Sequence, residues 1–163
     1  MQSLQLINES ITNLCTIHEE LLQISEQKTA YVKEGNLDKL QQMLGQERKI
    51  VHVLELAERK RQAAVEQWCA EQNLPVSEGN ITTILTHIAD HKMLQELEER
   101  TITLSELILK IKQQEQLNHM LIAQSMQFVQ FSLDQLSPSI SKLNYGSGKQ
   151  TETMKRSVFD SKA

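Results

Sequence analysis

Leu4, Ile7, Ile11, Leu14, Ile17, Leu21 and Ile24 recur at steps of three and four, the period of one face of an α-helix. This spacing predicts a first helix over about residues 3–34. Gly35 supplies its C-terminal stop, Asn36 is a capping residue, and Asp38 suits the positive end of a second helix. That helix, about 36–73, carries Leu37, Leu40, Leu44, Val51, Leu54, Val65 and Trp68 at helical spacing. Asn73-Leu74-Pro75 ends it, because the residue before a proline avoids helical angles. After a linker at 74–80, Ile81, Ile84, Leu85 and Ile88 open a third apolar face over about 81–136. Asp90 is placed to cap a fresh start, and the pattern leaves open whether Ala89–His91 interrupts this helix. From Met93 to Leu136 the periodicity is unbroken, on the order of 65 Å of helix, and Ser137-Pro138 is expected to stop it.

A two-residue turn at Gly35-Asn36 folds the first two helices into an antiparallel hairpin, in which the numbers of facing residues sum to roughly 70. Glu9 then stands opposite Arg61, and His18 opposite His52. Cys15 and Cys69 fall on the order of 20 Å apart along the hairpin, too far for a disulfide. The expected fold class is all-α: a helical hairpin plus a long third helix, as an elongated three-helix bundle or coiled coil. Residues 1–137 form the helical domain and 138–163 a flexible tail.

Composition narrows the function. Aromatic residues make up 4% of the chain against 39% hydrophobic, with only 5 Gly and 2 Pro, which suits helical bundles rather than sheets. The net charge of −4 gives no reason to expect nucleic acid as partner. The tail carries 5 basic residues against Glu152 and Asp160, with little to bury besides Val158-Phe159, as in a disordered end. No apolar run approaches ~18 residues, so no membrane insertion is expected. The N-terminus opens directly into an amphipathic pattern without a secretory signal, and a cytoplasmic location is the simplest expectation.

Candidate chemistry is sparse. No Gly-rich phosphate loop is present, and no cofactor is expected. His87 and His91 have metal-compatible i, i+4 spacing but lack the Glu of an HExxH motif and a third ligand nearby. No metal site or catalytic residue is assigned, and the chain is not expected to be an enzyme. Glu47, Glu58 and Arg61 fall on the apolar stripe of the second helix. An ion pair of Arg61 with Glu9 or Glu58, fixing how the helices align, accounts for them better than paired acids for catalysis.

Residues 117–136 are the informative stretch, because Asp134 is their single charged residue while Met93–Gln116 holds eight. Advancing ~100° per residue, one stripe collects Leu117, Met120, Leu121, Phe128 and Phe131. A second collects Ile122, Met126, Val129, Leu133 and Leu136. One stripe can pack on the hairpin, and the other then needs a different cover, such as a partner's helix. Two other covers remain open: burial of both stripes between the hairpin arms, and a homodimer in a coiled-coil adaptor.

Taken together, several residues resemble FlgN-type flagellar export chaperones of the Bacillus kind. They are Glu9 in the opening Leu/Ile stripe, Gly35-Asn36-Leu37 followed by Leu40, Glu47, and Leu54 with Glu58 and Arg61. Asn118 leading into Leu121-Ile122, Tyr145-Gly146-Ser147-Gly148 and Lys155–Asp160 complete the likeness. Glu115 departs from it, standing where such proteins often have Asn. The resemblance implies a non-enzymatic cytoplasmic escort of hook–filament junction proteins of the FlgK and FlgL type. It implies binding of their C-terminal helices, prevention of premature assembly, and delivery to the flagellar type III export gate. The expected client-binding residues are Asn118, Leu121, Ile122, Met126, Phe128, Val129, Leu133 and Leu136. Tyr145, Val158 and Phe159 are a possible contact to the export gate.

Overall fold

The computed structural model describes the backbone of residues 2–145 and the side chains of residues 2–136. Among the described residues four α-helices follow one another, α1 Gln2–Glu34, α2 Leu37–Gln72, α3 Ile81–Thr86 and α4 His91–Tyr145, with a 3-10 turn at Val76–Glu78. Gly35 takes φ +68°, the left-handed conformation that ends a helix and costs glycine little. The Asn36 side chain accepts a hydrogen bond from Lys39 N at 3.2 Å and starts α2. Asn73, at φ 56°, closes α2, with Leu74 N donating to Cys69 O at 2.9 Å.

The hairpin forms as expected, but about one helical turn out of the expected register. Ser3 donates to Glu71 at 2.6 Å, and Lys28 to Glu47 at 2.7 Å; these numbers sum to 74 and 75, not 70. The cause is the lean of helical side chains toward their own N-terminus. Side chains of α1 lean away from the turn and those of α2 toward it. Each α1 residue therefore meets an α2 residue farther along the chain.

The shift changes the pairings drawn from sequence. Arg61 pairs with Glu58 on its own helix, Nε to Oε2 at 2.8 Å and Nη2 to Oε1 at 2.6 Å. The hydrogen bond from Arg61 is the main reason the Glu58 carboxyl lies below its usual range. Glu9, expected opposite Arg61, is exposed and accepts from Gln5 at 3.2 Å instead. His18 Nδ1 lies 2.7 Å from Leu14 O, while His52 is exposed beside Glu55, so the two histidines do not face each other.

The linker folds back onto the hairpin. Asn80 caps α3 by accepting from Thr83 N at 2.9 Å, and α3 inserts Ile84 among Ile7, Ile11, Val65, Trp68, Cys69 and Leu97. Gly79 makes this approach possible. A Cβ there would lie 2.6 Å from Val65 Cγ1 and 2.9 Å from Cys69 Sγ. Gly79→Ala should therefore destabilise the fold by about 1–3 kcal/mol, the usual cost of overpacking, read as a lower urea midpoint at unchanged slope.

The helix does break before residue 91, and Asp90 caps the restart, its Oδ1 accepting from Lys92 N at 2.9 Å. His87 ends α3 with its ring edge-on to Trp68, centroids 5.5 Å apart, so His87 and His91 do not share a helical face. Among the described residues no group of three His, Cys, Asp or Glu converges to hold a metal. Nor is any described helix long and apolar enough to cross a membrane. Ser137-Pro138 does not end α4, which continues to Tyr145. Proline's fixed φ is itself helical, and it removes one backbone hydrogen bond without forbidding the next turn. Ile140 and Leu143 also keep the three-four spacing going. The rest of the expected tail, with Val158 and Phe159, lies outside the described residues.

Candidate protein-interaction surface

Met93, Leu97, Arg100, Leu104, Leu107, Ile111, Gln114, Asn118 and Leu121 of α4 are buried or half-buried, and Leu94, Glu96, Thr101 and Glu115 beside them are half-buried as well. The first nine step by four and three, the a/d seam of a coiled coil. Near its end this seam turns polar and meets a polar patch of α1. Lys28 Nζ, with a side chain 7% exposed, lies 2.7 Å from Glu47 and 2.8 Å from Glu115. Ser25 donates to Glu115, and Thr29 to Asn118 Oδ1. Asn118 Nδ2 donates to Ser25 O at 2.9 Å, and Gln114 donates to Thr29.

Burial acts most strongly on Glu115 and favours its neutral form. The hydrogen bonds from Lys28 and Ser25, with the Lys28 charge and Asn118, together outweigh it, so the carboxyl stays below its usual range. Burial likewise opposes the Lys28 charge most, but hydrogen bonds to Glu115 and Glu47 lift its pKa above the lysine norm.

This layer corrects one expected binding residue. Asn118 is 3% exposed and spends its amide inside the fold, so it stands as a positioning residue. Glu115, the departure from the family pattern, is the second carboxylate of the Lys28 cluster. The signal for the cluster was present in sequence: Ser25, Lys28 and Thr29 interrupt the apolar stripe of α1 near its end.

The bonded pairs of α1 and α4 are 85–93 numbers apart, so the two helices run parallel and α1 ends near position 121 of α4. There the apolar pattern changes phase. Ile122, Met126, Val129, Leu133 and Leu136 form a new four-three seam, displaced by one residue and hence by ~100° around the helix. One compact unit closes at Ala123 and a second begins at Gln124. In the first unit, Ile122 lines an open cleft of about 250 Å³ with Val32, Leu40 and Leu44, beside the Lys28–Glu47 pair. In the second unit Met126, Phe128, Val129, Phe131, Leu133 and Leu136 are all 56–71% exposed.

Of the first stripe only Leu121 is half-buried, while Leu117, Met120, Phe128 and Phe131 are exposed. Phe128 lies off the new seam, so one helix lying along that seam would leave it outside. Large apolar side chains exposed together in this way make the stretch a candidate interaction site.

The molecule is thus an all-helical protein with one coiled-coil seam filled by its own hairpin and a second left uncovered. A family model described as FlgN protein matches residues 1–153, and the chain belongs to the FlgN family of flagellar export chaperones, which are not enzymes. It is also 30% identical, over 99% of both chains, to the uncharacterized protein YvyG of Bacillus subtilis (strain 168). No solved structure matches it.

Proposed function

We propose that this chain is a cytoplasmic export chaperone that holds the C-terminal helix of hook–filament junction proteins of the FlgK and FlgL type along the second seam of α4. The observation that carries this reading is the exposed seam itself, Ile122 to Leu136, on a chain of the FlgN family. An amphipathic client helix laid there buries its own apolar face, the helix-in-groove mode of recognition. Covered in this way, the client cannot use that face to polymerise. Its residues are Leu121 and Ile122 of the first unit and Met126, Val129, Leu133 and Leu136 of the second. A second contact, to the export gate, falls to Tyr145, Val158 and Phe159; of these Tyr145 closes α4 and the other two lie outside the described residues.

The test is titration of the full chain with the C-terminal helical segments of junction proteins, followed by calorimetry. A one-to-one complex with a negative heat-capacity change is expected, the mark of apolar burial. Absence of binding to every such segment would remove the reading.

A further inference from the structure

We propose that the cleft beside the Lys28–Glu47 pair is a pocket for one basic side chain, a lysine or arginine, of the client helix. The inference deepens the chaperone reading and rests on it, Ile122 belonging both to the cleft and to the client site proposed above.

The lining of the cleft has two kinds of surface. Val32 of α1, Leu40 and Leu44 of α2 and Ile122 of α4 are apolar, whereas Lys28, Glu47 and Glu115 are charged. Leu44 and Ile122 each remain 41% exposed, so the fold itself covers the apolar part incompletely. At about 250 Å³ the space falls short of the ~300 Å³ at which small-molecule sites begin. It suits a side chain delivered by a partner rather than a free ligand.

Charge selects the side chain. Lys28 brings one ammonium to two carboxylates, 2.7 Å from Glu47 and 2.8 Å from Glu115, which leaves one negative charge in excess. Hydrogen-bonding capacity locates that excess. Both oxygens of Glu115 are engaged, Oε1 accepting from Ser25 and Oε2 from Lys28 at 3.0 Å. Among the described residues Glu47 accepts only from Lys28, through Oε1, while an ionised carboxylate offers about four acceptor sites. With 21% of its side chain accessible, Glu47 is the carboxylate an incoming cation can reach.

A lysine or arginine matches both surfaces. Its aliphatic stem lies along apolar walls while its head keeps a charged partner, and the head donates a charge-assisted hydrogen bond to Glu47. An apolar side chain would dry the surplus carboxylate without pairing it, at a cost, and an acidic one would meet like charge. The second seam of α4 then supplies apolar area that any amphipathic helix could use, and the cleft discriminates among such helices by requiring a cation.

Calorimetric titration of the full chain with C-terminal helical peptides of junction proteins provides the test. Each peptide is used as it stands and with its lysines and arginines replaced one at a time by norleucine, which keeps the stem and removes the charge. Glu47→Gln in the chain and norleucine at one peptide position should each weaken binding about tenfold, the worth of one charge-assisted hydrogen bond, and together no more than either alone. Leu44→Lys, which offers the cleft an ammonium of the chain's own, should weaken binding as much while the urea midpoint stays native or rises. This variant decides the matter if Glu47→Gln fails to fold. Native affinity in the folded variants, undiminished binding of every norleucine peptide, or losses that add would overturn the pocket and leave the chaperone reading standing. A native chain that binds none of the peptides would remove both.

Discussion

Replacing Lys28 with methionine is expected to destabilise the fold by about 3 kcal/mol, because it leaves two carboxylates in a partly dry layer without their cation. Glu47 and Glu115 keep 21% and 35% of their side-chain surface. Residual hydration places the loss at the lower end of the range for a broken buried pair. The companion change Lys28→Met with Glu47→Gln and Glu115→Gln should recover most of it, since removing all charges together costs far less than stranding two. Urea unfolding midpoints at constant slope measure both. A loss under about 1 kcal/mol for Lys28→Met would mean the layer is solvated and contributes little.

The same substitution should invert the pH dependence. In the native protein the Glu115 carboxyl is held below its unfolded value by Lys28 and Ser25 against the opposing effect of burial. A group of that kind stabilises above its unfolded pKa of ~4.3, and the contribution fades as pH falls through the lower folded value. Lys28 has the opposite sign: its raised pKa contributes fully below ~10.4 and is lost as pH rises through the folded value. Without Lys28, only the hydrogen bonds from Ser25 and Asn118 still oppose burial, the largest single effect on Glu115, and with the Glu47 carboxylate nearby its pKa is expected to rise above the unfolded value. The folded state then binds more protons than the unfolded one, and acidification from neutrality stabilises the variant. Stability measured between pH 7 and 4 should stay level or decline in the native protein and rise in Lys28→Met.

The second large effect concerns binding. Met126→Glu with Val129→Glu should weaken binding of a junction-protein helix by about 100-fold or more, because each seam residue buried by a partner contributes about 1.5–3 kcal/mol and a carboxylate there must be desolvated. The fold should survive, since both positions are more than half exposed and substitutions at such sites usually shift stability by under ~0.5 kcal/mol. Phe128→Glu is the control, equally exposed but off the seam. If the double variant binds as tightly as the native chain while remaining helical, the client lies elsewhere.

The helices were legible in sequence because their signals are local. Gly35-Asn36 and Asn73-Leu74-Pro75 punctuate stripes whose period is set by the helix itself. Register was less legible, because the side-chain lean that moves Glu9 away from Arg61 accumulates across two helices and leaves no mark in either. Lys28 was missed for a related reason. A lysine on an apolar face reads as a stem lying along the surface with its charge in water, unless the parallel offset that brings Glu115 beside it is known. The same offset decides that Asn118 is buried against α1. The passage of α4 through Pro138 was hidden because proline's helical φ and its missing donor point in opposite directions. The second seam itself could be read from its spacing.

Hydrogen–deuterium exchange on the full chain tests the central claim most directly when a junction protein's C-terminal helix is added. The account predicts slowed exchange of α4 amides from about Ile122 to Leu136, with the α1–α2 hairpin little changed. Protection confined to the hairpin, with that part of α4 exchanging as in the free protein, would contradict it.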